Sequence, residues 1–216
     1  MVLWPDPLFM KLSGWLLRGV MLMFLSATSM RGYGQSESIT SRIYFPGSIG
    51  LNIPFGNPKV NLQRGTILTT ALEYRPFPGN ALFLRFNYDA VHNHYQQVFN
   101  NSPTNVNTGK LSSSIFSLGM GYRHQAGIVK LFGILQPGLG INNYDRVKFN
   151  PETISIDQIT RRHFAFKLTT GAEYYLAEHF ALTIETSYFY LSPLASYRLL
   201  NPQSLNLSIG FTTTLF

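Results

Sequence analysis

Cysteine is absent from this chain. That absence removes a disulfide framework, a thiolate metal site, a cysteine nucleophile and any lipid anchor attached through cysteine. Charge is scarce as well, at 12% of residues, and the acidic groups number 10 against 17 Lys and Arg. With 45% hydrophobic and 14% aromatic residues, however, the chain is not of the disordered class. Long apolar runs are missing beyond the N-terminus, which excludes a bundle of membrane-spanning helices. The net charge of +7 comes without any dense Lys/Arg run, so nucleic acid is not the partner it implies. A basic exterior facing anionic lipid headgroups or lipopolysaccharide is the better reading.

The one apolar stretch lies near the start, where Leu16, Leu17 and Arg18 lead into Val20-Met21-Leu22-Met23-Phe24-Leu25 and the small residues Ser26 to Ser29. Its run is shorter than the ~20 residues of a spanning helix, which favours a cleaved export signal over an uncleaved anchor. Residues 1–34 are read as that signal, with translation starting at Met1 or at Met10-Lys11 and cleavage after Gly34. Residues 35–216 then form one domain.

What fills that domain is alternation with period two. Leu82, Leu84, Phe86 and Tyr88 share one face, and Arg85, Asn87 and Asp89 the other. Phe116, Leu118, Met120 and Tyr122 oppose Ser117, Gly119, Gly121 and Arg123. The same split runs through Leu68 to Arg75, with Glu73 on the polar side, and through Val129 to Asn142, with Lys130 and Gln136. It continues in His163 to Tyr174, with Lys167 and Glu173, in Leu182 to Tyr190, with Glu185, and in Leu205 to Leu215. An eighth strand lies within Ser41 to Ile53.

Three of these runs end alike, at Glu73-Tyr74-Arg75, Gly121-Tyr122-Arg123 and Glu173-Tyr174-Tyr175, and each is followed by a short turn. Those turns are Pro76 to Asn80, His124 to Gly127 and Leu176 to His179. The alternate connections are longer: Pro54 to Gln63, Phe99 to Lys110, Asp145 to Ile159 and Leu191 to Gln203. Alternation alone also suits a soluble sandwich, with the apolar face inside. The low charge of the polar face, the tyrosines at strand ends and the alternating loop lengths instead predict an all-β, antiparallel up-and-down transmembrane barrel of about eight strands. An aromatic girdle is expected from Tyr74, Tyr122 and Tyr174 at one end, with Tyr88 and Tyr188 or Tyr190 near the other. The polar set Glu73, Arg85, Asp89, Arg123, Lys130, Lys167, Glu173 and Glu185 is then expected to form a neutralising network that plugs the lumen.

On these strand ends and on the last run, Leu205-Asn-Leu-Ser-Ile-Gly-Phe-Thr-Thr-Thr-Leu-Phe216, the chain resembles the small eight-stranded outer-membrane barrels of the OmpA-like and OmpX-like class, and especially the Bacteroidota outer-membrane β-barrel domain proteins. The resemblance implies a location in the outer membrane, contact with lipopolysaccharide, and assembly by the barrel-assembly machinery through a C-terminal signal at Phe211, Leu215 and Phe216. Phe216 departs from the pattern, because Leu215 carries the apolar phase. The role implied is structural or one of surface interaction, through an extracellular ligand that the motifs do not name.

Chemistry is thin by comparison. His92 and His94 share a strand face at a metal-ligand spacing but lack a third ligand, so no metal and no cofactor is assigned. Barrel enzymes acting on lipid A use a His with a Ser and an acid. Here His163 and Glu185 are present, but Ala165 stands where the Ser would fall, and His163 reads as a rim residue. A protease would need Asp89 beside His92 or His94. His179 sits in a turn and reads as solvated. Enzyme action on lipid A or peptides, and service as an accessory barrel of a secretion or transport machine, are the alternatives to a structural role.

Overall fold

A computed structural model of the chain describes residues 42–55, 61–76, 81–96, 108–149, 154–177, 179–193 and 203–214. The export signal, the cleavage site, Leu215, Phe216 and most of the Phe99 to Lys110 loop lie outside the described residues.

Nine strand segments are formed: β1 (Ile43–Phe55), β2 (Asn61–Leu62), β3 (Gly65–Tyr74), β4 (Leu82–Gln96), β5 (Thr108–Ala126), β6 (Val129–Phe149), β7 (Ile154–Ala177), β8 (Phe180–Pro193) and β9 (Gln203–Thr214). The two-residue β2 prolongs β3 along β4, in a register offset by one residue. The other eight are the staves of the barrel. Each pairs antiparallel with its neighbour, and β1 on β9 and β4 on β5 complete the closure. In a bilayer, closure is obligatory, since an open edge would leave N–H and C=O groups in hydrocarbon without partners.

The stagger of the barrel follows from its registers. Stepping across paired residues from Leu82 leads through Tyr122, Gly133, Thr170, Thr186, Leu207, Leu51 and Thr66 to His92. One circuit thus returns to β4 ten residues farther along the same strand. Such stagger tilts the strands by about 35–45° and leaves an interior that side chains can fill.

Alternation now has a direction. Apolar side chains point outward along every stave, with Ile49 at 60%, Leu118 at 57% and Ile209 at 64% exposure. The inward positions are buried and largely polar. A water-soluble sandwich would reverse this, so the exterior is a lipid-facing band and the chain is a transmembrane barrel. Tight connections gather at one end. There the β5–β6 hairpin turns through Gly127 and Ile128, and Gly127 adopts φ 64°, a left-handed conformation costly for any residue with a Cβ.

One expectation is corrected at the opposite end. The sequence pattern assigns Asp145 to Ile159 to a long connection. Strand pairing in fact continues to Phe149 and Ile154, so β6 and β7 form a hairpin that outruns its neighbours. β8 stops pairing with β7 at Pro193, opposite His163. Backbone pairing between two strands needs no membrane, and it persists here beyond the level at which the barrel closes.

Candidate functional site

The lumen is built in layers. At the short-turn end, three guanidinium groups and three carboxylates interlock, all buried. Glu73 lies at the centre: Arg75 Nε is 2.5 Å and Arg123 Nη2 2.8 Å from its Oε1, and Arg85 Nε is 2.8 Å from Oε2. Arg123 Nη2 also reaches Glu173 at 2.7 Å, and Arg85 Nη1 reaches Glu185 at 2.7 Å. Tyr175 closes the layer, accepting from Arg75 at 2.7 Å and donating to Glu173 at 3.1 Å. Formal charges cancel, which is the condition for keeping so many ions away from water.

Aromatic rings brace the cage. Phe83 and Phe132 meet edge to face with centroids 6.4 Å apart. Arg123 lies 4.4 Å from the Phe83 ring and Arg85 5.0 Å from the Phe132 ring. Glycines make room for them, since a Cβ at Gly121 would come within 2.3 Å of Phe83 and one at Gly171 within 2.4 Å of Phe132.

Next along the lumen, Lys167 Nζ is 2.8 and 2.9 Å from the two oxygens of Asp89, and Thr69 donates to Asp89 at 2.6 Å. Gln136 donates to Asn87 at 2.8 Å and to the Arg85 carbonyl at 3.0 Å. Beyond them an apolar septum crosses the lumen, made of Ile67, Val91, Ile115, Ala165, Phe189 and Leu191. Above the septum runs an amide ladder: Asn93 donates to Asn52 at 2.9 Å, and Asn52 donates to Asn206 at 2.6 Å.

Seven of the eight residues expected in the lumen network are thus joined by ion pairs or charged hydrogen bonds. Lys130 stands apart, half-buried at the rim, with its ammonium 4.3 Å from the Tyr175 ring. Arg75 is the charged member that the expected set lacked. On the exterior, Tyr74, Tyr122 and Tyr174 are exposed at the short-turn end. Tyr88 and Tyr188 are half-buried in mid-strand, since β4 continues to Gln96 and β8 to Pro193. Phe211 is exposed and stacks on Phe180 at 6.0 Å.

His163 lies level with the last β7–β8 pair, at the long-connection rim, but faces inward. It is buried, opposite Gly140 and Pro193. Glu185 pairs instead with Gly171, eight residues down β7 from His163, a separation of about 26 Å at strand rise. No catalytic dyad of the two is therefore formed. Asp89 points inward while His92 and His94 are exposed on the outer face, so that pairing fails too. Among the described residues no group of three His, Asp or Glu converges as a metal site.

The interior was only partly readable from the sequence. Phe83, Phe132, Ile134 and Phe189 share inward faces with Arg85, Lys130 and Glu185. Sorting faces by polarity hides apolar residues placed among polar ones. The usable signal is the spacing itself, together with glycines on facing strands.

The described architecture is that of the small eight-stranded outer-membrane barrels of Gram-negative bacteria. Among solved structures, the chain is similar to Neisserial surface protein A, with a TM-score of 0.52, 16% identity, and coverage of 83% of this chain and 100% of that one. It is also similar to the outer membrane protein OprG from Pseudomonas aeruginosa, with a TM-score of 0.50, 12% identity, and coverage of 79% and 94%. At such identities the likeness is one of fold. No protein-family model and no curated protein sequence matches the chain.

Proposed function

We propose that the chain is an integral outer-membrane protein whose lumen is a structural core and whose role is structural or one of surface interaction at the long-connection end. The observation that carries this reading is the double closure of the lumen, by the Glu73 cage and by the Phe189 septum. A transport path would have to break both. Short turns then face the periplasm and long connections the exterior, the usual disposition of such barrels. Lipopolysaccharide is the natural partner of the outer surface, the barrel-assembly machinery is the partner during biogenesis, and nucleic acid is not a partner.

The separation of His163 from Glu185 counts against a lipid A hydrolase built on those two groups. An accessory role in a secretion or transport machine has no residue-level support here, and copurification with a defined partner is the observation that would favour it.

The test has two parts. In the outer-membrane fraction the unboiled chain should migrate faster than the boiled chain, as a closed barrel does. In planar bilayers the folded chain should pass no stable single-channel current. Steady openings would overturn the structural reading of the lumen, and a heat-indifferent band in the soluble periplasm would overturn the barrel's location.

A further inference from the structure

The exterior differs around its circumference. Tyr88, Phe116, Leu139 and Phe164 form one row across the outer faces of β4, β5, β6 and β7. Four residues farther toward the long-connection end, His92, Ser112, Asn143 and Thr160 form a second, wholly polar row. The second row is internally braced: a His92 ring nitrogen lies 3.1 Å from the Ser112 hydroxyl, and Thr160 donates to Asn143 at 2.8 Å. Arg162 is exposed between the rows, and just above them His94 stands opposite Lys110, both exposed. Asp145, two residues beyond Asn143 and so level with His94 and Lys110, is the one acidic side chain on this sector's outer face among the described residues.

Among the described residues, β1 and β9 carry no such polar row at this level. There the outer faces of β1 and β9 present Leu51, Ile53, Phe55, Leu205 and Leu207. Among the described residues, exposed cationic and hydroxyl groups at this level therefore run from Arg64 and Thr66, at the start of β3, across β4 to β7, and β4 to β7 alone span about 15 Å at normal strand spacing. They begin where an aromatic row ends, at the depth at which apolar side chains give way to headgroups.

We propose that this sector of β4 to β7 seats the phosphate groups of an outer-leaflet glycolipid. The assignment rests on the outer-membrane reading above and deepens its choice of partner. Lys110 and Arg162 supply fixed positive charge, and His94 and the Ser112 hydroxyl add hydrogen-bond donors on the same surface. The aromatic row beneath offers the acyl chains an apolar wall. One lipid is held in a set orientation, while β1 and β9 remain coated by exchangeable lipid.

The experiment uses the refolded full chain in detergent and native mass spectrometry with diphosphorylated lipid A. The folded chain should retain that lipid, and enzymatically dephosphorylated lipid A should be retained about ten-fold less, as the loss of several surface charge contacts implies. A variant carrying His92→Ala, His94→Ala and Lys110→Glu should lose retention to a similar extent while keeping its heat-shifted mobility, and Lys110→Arg should bind as the unaltered chain does. Excess inorganic phosphate should not displace the lipid. Equal retention of the two lipids, equal retention by the triple variant, or displacement by inorganic phosphate would each overturn the proposal. Should the triple variant fail to fold, the two-lipid comparison on the unaltered chain decides the matter. A normal heat shift with phosphate-indifferent retention sinks this assignment alone, whereas absence of the heat shift sinks the barrel reading beneath it.

Discussion

Lys167 and Asp89 meet inside the barrel from strands that are not neighbours, the ammonium sitting 2.8 and 2.9 Å from the two carboxylate oxygens. β5 and β6 separate β4 from β7 in the sheet, so this contact crosses the lumen and leaves no path between the two side chains. Both groups are almost completely buried. Removing one partner of such a pair typically costs about 3–5 kcal/mol, because the survivor stays charged without compensation, whereas replacing both with apolar groups costs far less. Lys167→Met should therefore lower the urea midpoint of folded-band loss more than the double variant Lys167→Met with Asp89→Leu. A double variant as unstable as the single one would show that the lumen depends on this pair for more than charge balance.

Glu73 accepts from three guanidinium groups, so its neutralisation leaves Arg75, Arg85 and Arg123 sharing two carboxylates. Glu73→Gln keeps the shape and removes the charge. It should destabilise the folded barrel by several kcal/mol, on the order expected for an unpaired buried ion, and by more than the same change at Glu185, which meets Arg85 alone. Parallel urea titrations of the two variants, followed by gel mobility, check the ranking.

The septum and the cage are barriers in series, and this decides what a lumen variant can do. Phe189→Ala removes the septum's one ring and should cost about 3–5 kcal/mol, the usual range for a buried aromatic. It should not produce current in planar bilayers, since the Lys167–Asp89 bridge and the cage beneath remain closed. Current should appear only when Phe189→Ala is combined with truncation of both remaining layers, the cage (Arg123→Ala with Glu173→Ala) and the bridge across the lumen (Lys167→Ala with Asp89→Ala). Conduction by Phe189→Ala alone would show that the cage is open to ions.

The barrel and the direction of most side chains were legible in the sequence, because lipid imposes apolar residues on one face of every stave, and period two is then visible without any contact information. The interior is not written in that way. Arg75 falls on the polar side of its run, but nothing local tells that it joins the network; besides Glu73 its partners are Glu173 and Tyr175, about a hundred positions away. His163 sits at the rim beside Arg161 and Arg162, and its burial was not legible there, since strand parity turns it inward while Arg162 faces out. Phe83 and Phe132 are readable only with their partners, since the space each occupies exists because Gly121 and Gly171 lie on adjacent strands. The extension of β6 and β7 is a related case: Val147, Phe149, Ile154 and Ile156 still alternate with polar residues, but the pairing itself is a property of two segments jointly.

Absence of cysteine makes the orientation of the barrel directly measurable. Ser155, exposed on the extended β6–β7 hairpin, and Ile128, exposed in the β5–β6 turn, lie at opposite ends of the barrel. Both positions face solvent, and neither side chain is used in the lumen, so Ser155→Cys and Ile128→Cys should fold normally. A membrane-impermeant maleimide applied to intact cells should label Ser155→Cys and spare Ile128→Cys, which should become reactive once the outer membrane is permeabilised. The reverse pattern would place the short turns outside. It would also remove the basic sector of β4 to β7 from the outer leaflet, because His94 and Lys110 lie toward the same end as Ser155.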